Sequence, residues 1–175
     1  MPRLSGAFFR LMDNQQDEQI KQAMITSLRF LAASPKTKQE LRRKLEAKGY
    51  PVFAIQAALK NLAEQGILDD LAYAKNLVSR LQNVKGAGKH RIAFELKRKG
   101  VHSALQNQIL GTLDSDQETQ RALELARWKW EQSSKLPLEK RRKRLYDFLI
   151  RKGYDFQIAQ DVLSRITRKA GPSEI

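Results

Sequence analysis

ELRRKLEAKGY (residues 40–50), RIAFELKRKGV (91–101) and RLYDFLIRKGY (144–154) write one pattern three times in a single chain. Counted back from Gly49, Gly100 and Gly153, an aliphatic residue stands eight before (Leu41, Ile92, Leu145) and a leucine four before (Leu45, Leu96, Leu149). A lysine directly precedes each glycine (Lys48, Lys99, Lys152). Residues four apart share one face of a helix, so each pair supplies a buried edge. Glycine favours the left-handed turn that ends a helix, and a cation in the last turn complements the helix dipole. Lys-Gly therefore reads as a helix stop. Pro51, Ser103 and Asp155 follow and suit a new helix start, with Ser103 and Gln106 at capping-box spacing. About ten residues beyond each glycine a further aliphatic recurs (Leu59, Leu110, Leu163), so every copy continues into a second helix.

Working outward, helical spacing continues almost throughout. Ile20, Met24, Leu28 and Leu31 recur at helical intervals and stop before Ser34-Pro35, and Thr37 with Glu40 makes a capping box. Ile55, Ala58, Leu59, Leu62 and Ala63 fill an amphipathic template that Gly66 ends. A winged-helix protein would place an alternating β-hairpin next. Instead Leu71, Ala74, Val78 and Leu81 keep helical spacing behind a capping Asp69 or Asp70. Asp114 to Glu118 likewise opens a helix through Leu123, Ala126 and Trp130. The expected organisation is a mobile tail over 1–17, an N-terminal helix plus first repeat over 18–84, a second repeat over 85–134, a shorter third over 135–168 and a tail over 169–175. Lys85-Gly86-Ala87-Gly88 and Ser133 to Pro137 are the joints. The fold class is all-α. At 175 residues one domain is usual, although short modules could instead bury several small cores.

Charge is distributed unevenly. The net charge is +14, yet residues 36–48, 85–99 and 135–152 alone carry +4, +5 and +6. The whole surplus thus lies on the helix that each Lys-Gly ends, which points to nucleic acid or an acidic protein as partner. Facing away from the apolar edges at about 100° per residue are Lys36, Arg43 and, to one side, Lys44; then His90, Lys97 and Arg98; then Lys140, Lys143, Arg144 and Arg151. Lys85, Lys89, Arg91, Arg141 and Arg142 complete the candidate basic surface. A plain solvated face would interleave acids at i, i+4, and these outward positions read as unmixed. Five consecutive cations, Lys140 to Arg144, leave several exposed whichever face is buried.

Catalytic chemistry finds no support. Cysteine is absent, which removes disulfides and thiolate chemistry. His90 and His102 lack a companion cluster at metal spacing, so no metal, cofactor or catalytic residue is expected. GAGKH (86–90) fails the phosphate-loop pattern, since His90 stands where Ser or Thr is needed and no strand precedes it. Trp128 and Trp130 cannot share one face, so at most one is deep core. Phe94 projects away from Ile92 and Leu96 among basic residues, where it could stack on a base or pack on a neighbour. Phe8 and Phe9 could dock the N-terminal tail. No segment has the length of a membrane span or the apolar core of a signal peptide, and a cytoplasmic location is expected.

ELRRKL with Lys48-Gly49, GILDD (66–70) followed by Tyr73-Ala74, KGAGKHRI (85–92) and ELKRKGV (95–101), in that order, resemble the RecX family, regulators of the RecA recombinase. The resemblance covers about residues 20 to 168. It implies tandem three-helix units in an elongated, curved molecule. It also implies binding to RecA and its filament on single-stranded DNA. Such proteins limit filament growth, stability and ATP hydrolysis, and so modulate recombination, DNA repair and the SOS response. The high positive charge favours a monomer, and contacts to phosphates predict binding to single-stranded DNA, extending to double-stranded DNA, without sequence preference. The competing reading is a sequence-specific helix-turn-helix repressor, for which Gln56 and Asn61 are the only base-reading candidates on the second helix of the first repeat.

Overall fold

The computed structural model describes the backbone of residues 6–169 and the side chains of residues 14–168. Within that range the chain is helical throughout, with no strand. In order the helices are α1 (Gly6–Ala33), α2 (Lys38–Glu46), α3 (Val52–Glu64), α4 (Asp70–Asn83), α5 (Lys89–Arg98), α6 (Ser103–Gly111), α7 (Ser115–Glu131), α8 (Leu138–Lys152) and α9 (Phe156–Lys169). A third helix, α4, stands where a wing would have been. The chain divides into two compact units: Met1–Tyr73 with Lys99–Val101, and Ala74–Arg98 with His102–Ile175.

In the first unit, α1 packs on α2 and α3. Leu41 and Leu45 of α2 meet Ile55, Leu59 and Leu62 of α3, closed by Leu68 and flanked by Phe30, Leu31 and Tyr50. The sides of these side chains that would otherwise meet water make burial the main stabilising contribution, roughly 1.5–3 kcal/mol for each large aliphatic. On the other side of α3, Ala54 and Ala58 meet Ala23, and small residues there let α1 approach closely. The α1 stripe differs from expectation for that reason: Leu28 is 41% exposed, while Ala23 and Ser27 are fully buried. Ala63 is exposed as well. Helix α1 also begins at Gly6, inside the stretch expected to be a tail. The side chains of Phe8 and Phe9 lie outside the described residues.

Helix starts follow the sequence closely, with one correction. Thr37 accepts from the Glu40 amide while the Glu40 carboxylate accepts from the Thr37 amide, a complete capping box. Asp69, Asp114 and Asp155 cap α4, α7 and α9. At α6, however, the capping residue is His102, whose Nδ1 accepts from the Ala104 amide at 3.3 Å, and Ser103 is already inside the helix. A histidine thereby has a structural task.

The second unit has its main core where α7, α8 and α9 meet: Ala122, Leu123, Ala126 and Trp130 against Leu145, Leu149, Ala159 and Val162. Ile92 and Leu96 of α5 are buried to within 1%. Tyr154 is buried too, and its hydroxyl has no hydrogen-bond partner among the described residues, whereas the equivalent Tyr50 hydroxyl meets Thr26 Oγ1 at 2.8 Å. Burial pushes the Tyr154 phenol up to about 12, with Glu118 and Glu124 nearby adding to the rise and Arg121 opposing it. Because the folded value exceeds the unfolded one, this group leaves stability intact below pH ~10 and erodes it as the pH rises from there. Tyr154→Phe is therefore expected to be at least as stable at neutral pH, by about 1 kcal/mol, since it removes an unpaired buried hydroxyl. It should also flatten the stability loss between roughly pH 10 and 12. Thermal melts at pH 7 and pH 11 test this, and a variant that melts well below the parent at pH 7 would contradict it.

Candidate nucleic-acid interface

All three Lys-Gly turns are left-handed, with φ of +81° at Gly49, +73° at Gly100 and +87° at Gly153. Two of them do more than end a helix. In the second unit the turn after α8 sits on the first turn of α5: Gly88 N–H donates to Lys152 O (2.9 Å) and His90 N–H donates to Gly153 O (3.0 Å). Between these, Lys89 N–H donates to the buried Glu118 carboxylate of α7 at 2.7 Å. A Cβ on Gly88 would lie 2.5 Å from Gly153 O, and a Cβ on Gly153 would lie 2.4 Å from Arg91 N. Glycine is required on both sides of the contact. The segment GAGKH thus joins helices within the fold, in keeping with its failure as a phosphate loop.

In the first unit Lys99-Gly100 meets the start of α2 in the same manner. Thr37 Oγ1 donates to Lys99 O at 2.6 Å, and Lys99 Nζ donates to Glu40 at 2.8 Å. The hydrogen bond to Glu40 holds the Lys99 ammonium above the usual lysine range, against a smaller opposing effect of burial. By contrast, a Cβ at Gly49 would touch nothing within 4 Å.

The outward cations divide by what they touch. Arg43, Lys85, Lys89, Lys97, Lys140, Arg142, Lys143, Arg144 and Arg151 are exposed. Lys36 is half-buried and folds back to Ser34, while Lys44 remains exposed over the Phe30 ring at 5.0 Å. Arg141 is a correction to the candidate set: its guanidinium donates twice to Trp130 O, at 3.0 and 2.7 Å, and stacks 3.8 Å from the Trp130 ring centroid. It ties α8 to the end of α7 and is spent inside the unit.

Arg91 and Arg98 need a second correction. Both pair with Glu95, at 2.8 and 2.6 Å, so the basic face of α5 does mix signs. Burial alone would raise the Glu95 carboxyl, but the Arg98 hydrogen bond and the charges of Arg98 and Arg91 outweigh it and hold the carboxyl below its ordinary value. That pairing stabilises the fold above the ordinary carboxylate pKa and is lost as pH falls through the lowered one. Glu95 shares a pocket of about 170 Å³ with Lys85, Arg91, Arg151 and Lys152, so cations from α5, α8 and the joint converge there.

The aromatics separate as their spacing requires: Trp130 is 7% exposed and Trp128 52%. Phe94 is exposed beside Arg91. Sequence reasoning did not find the groove that holds Trp128 together with Phe148 of α8, because ring proximity across helices leaves no mark on local spacing. Of the two base-reading candidates, Gln56 is exposed, but Asn61 is half-buried and its amide is directed to Met24 Sδ at 3.7 Å. Among the described residues no three metal-ligating side chains cluster, and no helix is long and apolar enough to cross a membrane.

Comparison with known proteins finds matches along most of the chain. Models described as the first, second and third three-helix domains of RecX match residues 23–62, 69–110 and 116–163. These spans group the helices as α1–α3, α4–α6 and α7–α9, one helix earlier than the repeats framed on the basic helices, so each domain is complete. A Mycolicibacterium smegmatis protein named regulatory protein RecX is 33% identical over 171 residues, covering 93% of this chain and 91% of its own. A Streptomyces coelicolor protein of the same name is 31% identical over 152 residues, covering 87% and 81%. The crystal structure of RecX from Lactobacillus salivarius superposes with a TM-score of 0.78 at 18% identity, covering 87% of this chain and 99% of that one, which is a likeness of fold.

Proposed function

The chain belongs to the RecX family of regulatory proteins, and from that premise we propose that it binds the RecA filament on single-stranded DNA and limits its growth, stability and ATP hydrolysis. It thereby damps recombination, DNA repair and the SOS response. The observation that carries this reading is the run of exposed cations on α8, Lys140, Arg142, Lys143 and Arg144. Ammonium and guanidinium groups on a solvated helix face suit phosphate and acidic protein surfaces, and they carry no base-specific information. The net charge of +14 favours a monomer that holds single-stranded, and also double-stranded, DNA without sequence preference, and membership of this family of regulators fits a cytoplasmic protein. The role is one of binding, with no catalytic step assigned to any residue. A sequence-specific repressor is disfavoured because Asn61 is turned toward α1.

Titrating the protein into RecA on single-stranded DNA while following ATP hydrolysis tests the proposal. Hydrolysis should fall. Loss well below one copy per RecA indicates capping of filament ends, and loss only near saturation indicates coating along the filament. Hydrolysis that persists at saturation removes the reading.

A further inference from the structure

A groove of about 620 Å³ in the second unit runs between the joint after α4, the outer face of α7 and the C-terminal half of α8. Its apolar wall is Trp128, Phe148, Leu125 and Val84. Val84 is 77% exposed and Trp128 52%, an unusual cost for two apolar side chains on a strongly charged surface. The Trp128 and Phe148 ring centroids are 6.4 Å apart with the planes inclined at 47°, so the pair forms an open angle. Cations surround it. Lys129 Nζ lies 5.7 Å from the Trp128 centroid and 5.2 Å from that of Phe148, and Lys152 Nζ lies 5.5 Å from Phe148. Lys85 and Arg121 also line the groove, with Glu124 as its one acid. Lys85 and Lys152 belong at the same time to the neighbouring pocket with Arg91, Arg151 and Glu95, where Lys152 Nζ donates one hydrogen bond to Lys85 O at 2.6 Å and keeps its other N–H donors for a ligand.

An aromatic wall that shares two lysines with a cationic pocket matches the two halves of a nucleotide. We propose that this groove is a stacking site for an unpaired base of single-stranded DNA, with Lys85 and Lys152 meeting the adjoining phosphate. Duplex DNA offers no free base face to Trp128, so the groove discriminates single from double strands, while every unpaired base has a π-face and sequence is not read. The inference deepens the DNA contact of the proposed function and rests on it.

The test uses the protein alone with oligo-dT, following tryptophan emission. Binding should quench the exposed Trp128. Trp128→Ala should weaken oligo-dT binding by roughly 5- to 100-fold and leave duplex binding unchanged, with Trp128→Phe retaining most of the affinity. If Trp128→Ala lowers the melting temperature, Val84→Glu places a repelling carboxylate in the same groove at an exposed position and should weaken oligo-dT binding likewise. Undiminished single-strand affinity in both variants overturns the proposal. Quenching by poly-glutamate with no response to oligo-dT overturns it too, and assigns the groove to an acidic protein segment. Since RecA is absent from this titration, oligo-dT binding without any effect on RecA would undo the regulatory reading alone. Variants that still inhibit RecA and still bind oligo-dT would undo the groove alone.

Discussion

Gly153→Ala is expected to destabilise the second unit by about 4 kcal/mol, of which left-handed backbone accounts for about 1–2 and overpacking for the remainder. Two other glycines separate the contributions. Gly49 has nearly the same φ, +81° against +87°, but open space where its Cβ would point, so Gly49→Ala should cost only the backbone share, about 1–2 kcal/mol. Gly88 has no left-handed φ, yet its Cβ would lie 2.5 Å from Gly153 O and Tyr154 N, so Gly88→Ala reads the contact alone. The colliding atoms are backbone, which cannot swing aside as a long side chain would. Hydrogen exchange of the α2 amides for Gly49 and of the α5 and α8 amides for Gly88 and Gly153, with thermal melts, gives the three values. Equal effects at Gly49 and Gly153 would show that the close approach carries no energy.

Neutralising Lys140, Arg142, Lys143 and Arg144 together to glutamine is expected to reduce affinity for single-stranded DNA by roughly 100-fold or more at low salt. The more specific signature is the salt dependence. Each phosphate contact on a single strand contributes about 0.7 to the slope of log K against log salt, so the loss of four should make that slope shallower by up to roughly 3. These side chains are exposed, and the fold should hold within about 0.5 kcal/mol. Arg141 is left in place because it binds Trp130 O, and replacing it would confuse stability with binding. An unchanged slope with intact helicity would exclude the α8 run as a phosphate contact.

The helices, all but one of the caps read for them and their left-handed stops were legible because each is set by residues within one or two turns. Leu41/Leu45, Ile92/Leu96 and Leu145/Leu149 are all buried to within 1%. The same local reading could not foresee that the fold would take up Arg141, which looks like its exposed neighbours in sequence and is distinguished by a carbonyl eleven residues away. Leu28 fails for a related reason, since the α1–α3 contact is made by alanines and the larger residue is left outside. Arg91 and Arg98 are different: Glu95 stands four residues after one and three before the other, so their pairing is written in the local spacing, and the reading of the face as unmixed passed over it. Trp128 was seen to be unable to share a face with Trp130, but its pairing with Phe148 depends on how α7 meets α8.

The occupied first turns of α2 and α5 bear on how an anion can be gripped. Free amides at a helix start form a rigid anion cradle. Here the Lys38 and Glu40 amides of α2 donate to Asp70 and Thr37, and at the start of α5 the Gly88, Lys89 and His90 amides donate to Lys152 O, Glu118 and Gly153 O. With most of each cradle occupied, a phosphate at these two helices is met mainly by the tips of flexible lysine and arginine side chains. Such tips adjust over several ångströms and impose little registry, so one surface can follow a strand whose phosphate spacing changes as it is stretched, at the cost of a hold that rising ionic strength readily loosens.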